Sequence, residues 1–189
     1  MKILVSQLLI LSIAFLSCNT NTPLKQQKDL YFNIIDILKY EIAALEKLNP
    51  TVIKKSTFDG QESNATLKNI KWNKEFESLK ALDLNKPALQ NEFKAVAVIR
   101  DSIIVTNYIR KKTSNTPIKY LRAIFTTSNK LKTVIAKTQK SNLIFNSETT
   151  YQLDFDTSTM LLNRYEVNGK QGFILMKSNT FSLNASIQK

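Results

Sequence analysis

The sequence predicts an α+β fold: an N-terminal amphipathic helix, a short hairpin and second helix, then a curved antiparallel β meander. Three observations carry this. Leu30, Ile34, Ile37, Leu38, Ile42, Leu45 and Leu48 recur at spacings of three and four, with Lys and Glu between them, which is the period of one helix face. Asp59 and Gly60, a favoured turn dipeptide, separate two Thr-rich, β-branched segments. From Phe93 onward the pattern becomes that of strands, with turn residues about every 10 to 12 positions.

Taken in order, the first helix is expected over 24–48. Asn49 and Pro50 end it, because proline disfavours a helical conformation in the residue before it. Segments 51–58 and 64–70 make the hairpin. Trp72, Phe76, Leu79 and Leu82 then fall on one face of a short second helix, and 85–92, with Pro87 inside, reads as a loop or single turn. The meander is expected to use 95–99, 102–109, 118–126, 130–138, 149–155, 159–167, 171–177 and 181–185. Asn168 followed by Gly169 is its strongest hairpin signal. With no internal repeat, 24–189 reads as a single α+β domain.

The chain opens on an export signal over 1–17. Lys2 and the terminal amine precede an apolar run from Ile3 to Leu16 that is broken only by Ser6, Gln7 and Ser12. The run is too short to span a bilayer, which takes about 20 apolar residues. Cys18, the only cysteine, stands where this run gives way to Asn, Thr and Pro.

Phe15, Leu16, Ser17 and Cys18 resemble the lipobox of bacterial lipoproteins. The resemblance implies that Cys18 is lipidated and becomes the first residue of the mature protein, with 18–23 as lipidated cysteine and tether. A thiol can be made nucleophilic enough to accept a diacylglyceryl group, and each buried CH₂ of the chains adds about 0.8 kcal/mol of anchoring. Asn19 stands where an inner-membrane retention aspartate would be, and the stretch after Cys18 lacks acidic residues up to Asp29. By that resemblance the protein sits on the outer membrane, on its periplasmic side. The element order, with abundant Lys, Asn, Ile, Ser and Thr, is similar to that of small Bacteroidota-type lipoproteins of unknown function, a resemblance that transfers no activity.

The residue inventory points away from an enzyme. The chain has no histidine and no second cysteine, so with Cys18 taken by lipid, as the resemblance implies, disulfides, thiolate sites and the usual His-based triads have no residues to build them. Its three glycines form no phosphate-cradling loop. No catalytic residue, metal or cofactor is assigned.

Charge is the most distinctive feature. The formal net charge is +12, and from Ser102 to Ser147 there is no Asp or Glu. Arg110, Lys111, Lys112, Lys119 and Arg122 form the candidate basic contact patch. Anionic lipid headgroups or an acidic envelope polymer fit such a patch. Nucleic acid is not expected, since aromatic interleaving is thin and the chain is exported. The alternative is a solvated sheet face whose lysines guard strand edges.

Three smaller motifs are ambiguous. Asp154, Phe155, Asp156 and Thr157 read as a strand end and turn, although two carboxylates there could also join a cation site. Asp101, Ser102 and Ile103 resemble the short O-glycosylation signal of Bacteroidota, which implies Ser102 as the acceptor. Tyr31, Tyr40, Trp72 and Phe76 are core aromatics or the lining of a pocket. The function expected is that of a lipid-anchored envelope protein, held to the membrane through that anchor, whose non-enzymatic domain binds or scaffolds a partner. The alternative is a carrier of an apolar ligand or lipid in a half-barrel cavity.

Overall fold

The computed structural model describes residues 30–174 and 176–189. The expected export signal, Cys18, the expected tether and residues 24–29 of the expected first helix lie outside the described residues.

The described chain is predominantly β. Helix α1 (Ile34–Leu48) leads into β1 (Thr51–Phe58) and β2 (Gln61–Leu67). Two single turns of helix, α2 (Trp72–Glu75) and α3 (Glu77–Lys80), and a 3₁₀ turn at Pro87–Leu89 follow. Then come β3 (Phe93–Arg100), β4 (Ile103–Arg110), β5 (Ile118–Thr126), β6 (Leu131–Ser141), β7 (Phe145–Phe155), β8 (Leu162–Phe173) and β9 (Asn179–Gln188). The nine strands form one open sheet in the order β2-β1-β9-β8-β7-β6-β5-β4-β3. Every neighbouring pair is antiparallel. The expected helix, hairpin and antiparallel meander are present, but among the described residues only one helix exceeds a single turn, so the chain is predominantly β rather than α+β.

That helix starts later than its periodicity suggests. Asn33 caps it, its Oδ1 accepting the Asp36 N–H at 3.0 Å while its Nδ2 donates to the Asp36 carboxylate at 2.8 Å. Leu30 to Phe32 precede the cap, held outside the helix by Asn85, whose Oδ1 accepts the Tyr31 N–H at 2.9 Å. At the other end Asn49 takes a left-handed conformation, φ 43°, and its N–H bonds to Leu45 O, with Pro50 next as the sequence indicates.

The second helix is broken at Phe76, the shared boundary of α2 and α3. A continuous helix would turn Leu82 and Leu84 about 200° apart. By opening after Lys80 the chain buries Trp72, Phe76, Leu79, Leu82 and Leu84 together.

The core lies between these segments and one face of the sheet. Burial alternates along the central strands, through Leu121 and Ala123, Val134 and Ala136, and Ala185 and Ile187, as period-two side-chain direction requires. Helix α1 contributes Ile34, Leu38 and Leu45, and also Glu41, which is 1 % exposed. The Glu41 carboxylate accepts the N–H of Leu162 at 2.9 Å and so fastens the helix to the start of β8.

Burial raises the Glu41 carboxyl above its ordinary value of 4.5, against the Leu162 hydrogen bond and the charge of Lys189, which lower it. Lys189 also faces Asp156. The folded state therefore keeps the Glu41 proton at pH values where the unfolded chain has released it. The stability this contributes is present below about 4.5 and is lost as pH rises through the raised folded value. Glu41→Gln keeps an acceptor for Leu162 but cannot ionise. Denaturation midpoints measured from acidic to neutral pH are expected to fall more steeply for the native chain than for Glu41→Gln. Parallel curves would refute this.

The antiparallel order puts the β3–β4, β5–β6 and β7–β8 turns at one end of the sheet. The β1–β2, β4–β5, β6–β7 and β8–β9 connections lie at the other, called here the distal end. The predicted hairpin at Asn168 and Gly169 is not formed. Both lie inside β8, and the chain reverses between Phe173 and Asn179, so segment 171–177 is a strand end and turn rather than a separate strand.

Candidate functional site: a basic cleft and two apolar hairpin tips

At the distal end the chain leaves β4 at Arg110, folds back through 111–117 and re-enters the sheet at Ile118. The fold-back is fixed locally. Lys111 N–H bonds to Glu92 O at 2.9 Å and Ser114 N–H to Lys111 O at 3.1 Å, while Ser114 and Thr116 are buried. The Arg110 guanidinium donates through Nη1 to the carbonyl of Thr116, so this arginine braces the loop. On its far side Gln139 N–H bonds to Pro117 O at 2.8 Å, which brings the end of β6 alongside.

These contacts enclose an open cleft of about 600 Å³ lined by Arg110, Lys112, Lys119 and Lys140, with Asn115, Pro117, Gln139 and Ser141 among the other lining residues. No carboxylate is among its lining residues. One acid, Glu148, lies within electrostatic reach of Lys119. Glu148 pairs with Lys137 at 2.8 Å, and their hydrogen bond lowers the glutamate and raises the lysine.

Of the basic residues singled out from the sequence, Arg110, Lys112 and Lys119 meet in the cleft. Lys111 is exposed on the same loop. Arg122 does not join them. It stands on the opposite sheet face, where its Nε donates to Asn107 Oδ1 at 2.7 Å across the β4–β5 pair. Lys140, outside the sequence-predicted patch, also lines the cleft, because the pairing of Gln139 with Pro117 makes it a neighbour of Lys112.

Next to the cleft, the β6–β7 and β8–β9 turns stand side by side. Asn142 organises the first by accepting the N–H groups of Ile144 and Phe145 at 3.0 and 2.8 Å through Oδ1. Ile174 N–H bonds to Ile144 O at 2.9 Å, and the Phe145 and Phe173 rings touch with centroids 5.2 Å apart. The tips are apolar and exposed: Leu143 is 93 % accessible, Ile174 63 % and Met176 68 %. Sequence reasoning missed this pair, since apolar residues in 171–177 signal a strand and 139–148 carried no signal of its own.

The other candidates separate. Trp72 and Phe76 are core, Tyr31 is half-buried against Phe93 and Tyr108, and Tyr40 is exposed, so the four aromatics line no common pocket. A shallow groove of about 310 Å³ runs along α1, lined by Ile35, Leu38 and Ile42 with Lys39, Asn73 and Lys80. Asp154 accepts hydrogen bonds from Thr133 and Gln152. Asp156 caps its own turn by accepting Ser158 and Thr159 N–H groups, which lower its carboxyl. Among the described residues no group of three or more Cys, Asp or Glu is placed to hold a metal ion. Ser102 is exposed at the opposite end of the sheet, in a two-residue turn where Asp101 and Ser102 both have positive φ, 46° and 68°.

Comparison with known proteins adds no family. No family model matches the chain, and neither a curated protein nor a solved structure matches it significantly.

Proposed function

We propose that this is a lipid-anchored envelope protein, attached through Cys18 to the periplasmic side of the outer membrane, whose domain is a non-enzymatic module that binds a polyanionic surface through the distal cleft. The observation that carries the binding role is the convergence of Arg110, Lys112, Lys119 and Lys140 on one cleft without a lining carboxylate. Cations gathered this way, with no carboxylate lining the cleft, attract phosphate or carboxylate groups of a ligand. Anchoring near a charged membrane would add about 1 kcal/mol per lysine held close to the surface.

The binding role is tested with the full chain and soluble inorganic polyphosphate as the probe. The triple variant Lys112→Glu, Lys119→Glu and Lys140→Glu is expected to bind about a hundredfold more weakly at low salt, on the order of 1 kcal/mol per site. Arg110 is left in place because it braces the loop. Binding of the native chain should weaken as salt rises. Affinity unchanged by charge reversal would exclude the cleft. For the anchor, Cys18→Ala should abolish palmitate labelling and leave a full-length precursor, and persistent labelling would refute it.

A further inference from the structure

The cleft accounts for the lysines but not for the apolar tips beside it. Leu143, Ile144, Phe173, Ile174 and Met176 are 93, 60, 52, 63 and 68 % exposed, and all lie in two adjacent hairpin ends. Turns at a sheet end ordinarily carry small and polar residues, and contiguous exposed apolar groups rimmed by polar ones mark a contact surface.

We propose that the two tips insert into the interface of an anionic phospholipid bilayer while the neighbouring cleft holds headgroup phosphates; this rests on the polyanion reading of the cleft and names the polyanion as lipid. Charge complementarity selects this occupant. Lys140 lies two residues before Asn142, and Lys170 and Lys177 flank the β8–β9 tip, so the apolar groups are framed by cations, the pattern of segments that enter an anionic membrane surface. A second copy of this chain would bring the same cations to the contact and meet repulsion.

The tips are also built to leave water. Several of their backbone N–H groups are paired internally, those of Ile144 and Phe145 with Asn142 Oδ1, that of Asn142 with Phe145 O at 2.8 Å and that of Ile174 with Ile144 O. Unpaired polar groups are what make backbone costly to move out of water. The Phe145–Phe173 ring contact joins the two hairpins behind the inserting side chains, so both enter together.

The test places an environment-sensitive fluorophore on the full chain, in a Cys18→Ser background, through Leu143→Cys, Ile174→Cys or Ser102→Cys. Vesicles are equimolar phosphatidylglycerol and phosphatidylcholine. Probes at 143 and 174 are expected to shift to the blue and to be quenched by spin-labelled lipid, while the probe at 102 stays accessible to aqueous iodide. All three remaining equally accessible on vesicle-bound protein overturns the inference, and shielding at 143 without lipid reveals self-association instead and overturns it too. The pair Leu143→Ser and Ile174→Ser is expected to lower vesicle affinity about tenfold and to leave polyphosphate binding within about twofold. Wet tips with polyphosphate binding intact would defeat insertion alone; loss of polyphosphate binding specificity for the cleft would defeat the underlying reading.

Discussion

Trp72→Ala is expected to destabilise the fold by about 3–5 kcal/mol, the range for emptying a buried aromatic site. Trp72 is 1 % exposed and starts a stretch that has little regular structure to hold it. Helices α2 and α3 are one turn each, far below the length at which an isolated helix persists. The segment keeps its place through its side chains. The Trp72 ring packs on Phe76 with centroids 5.4 Å apart, and Phe76 meets Tyr165 of β8 edge-on at 5.8 Å.

A polar clamp lies beside these rings. Tyr165 donates to Glu75 Oε1 at 2.6 Å, and Lys54 of β1 pairs with Glu75 Oε2 at 2.7 Å. Burial raises the Tyr165 hydroxyl well above its ordinary value, so it stays a donor across the working pH range. Removing the indole leaves a void behind Phe76 and loosens the support on which the clamp depends. Urea unfolding should show a lower midpoint with an unchanged slope. A loss below about 1 kcal/mol would mean that the segment is held by something other than this packing.

The apolar periodicity that identifies Trp72, Phe76, Leu79 and Leu82 as a buried set is thus legible in the sequence, whereas the break in the helix is not. Periodicity reports which side chains need burial, and Leu84 imposes its demand two residues later at an angle no straight helix satisfies. The same distinction runs through the sheet. Segments 51–58 and 118–126 have the bounds expected of them, because both alternate over a covered face and end at turn residues. Strands β7, β8 and β9 run longer than expected. The residues added to β7, among them Asn146, Ser147 and Glu148, and those that join the two expected segments into β8, Asn168 to Lys170, carry no apolar alternation to mark them.

For the site, lysine content was legible but convergence was not. Lys112 and Lys140 are brought together by the Gln139 to Pro117 hydrogen bond at 2.8 Å, a register that no local pattern encodes. Arg122 shows the converse: it lies within the acid-free stretch, yet strand alternation sends it to the face opposite Leu121 and Ala123. The hairpin tips escaped notice because exposed Ile174 and Met176 violate the polarity expected of turns, and such violations are concentrated at functional positions.

Gly169→Val is expected to destabilise the protein by about 2–3 kcal/mol, as overpacking does where backbone blocks relaxation. The Asn168–Gly169 pair looks like a hairpin turn from sequence, but glycine serves a different need here. Gly169 lies in mid-strand opposite Thr149 and Phe181. A Cβ there would stand 2.5 Å from the Glu148 carbonyl oxygen and 2.6 Å from the Phe181 ring. The Phe181 ring covers the position that a side chain would take, so a bare Cα is required for close approach rather than for a left-handed turn. A flexible neighbour could yield, but a carbonyl inside a ladder cannot move without disturbing the β7–β8 pairing. If the residue were at a turn, valine would instead disrupt only an exposed hairpin end and leave the ladder intact. Hydrogen exchange separates the two cases: loss of protection at Glu148, Thr149 and Thr150 is expected in Gly169→Val. The double variant Gly169→Val with Phe181→Ala should recover part of the lost stability, because the ring contact is relieved while the carbonyl contact remains. No recovery would assign the cost to the backbone contact alone, and retained protection across β7 would refute the mid-strand role.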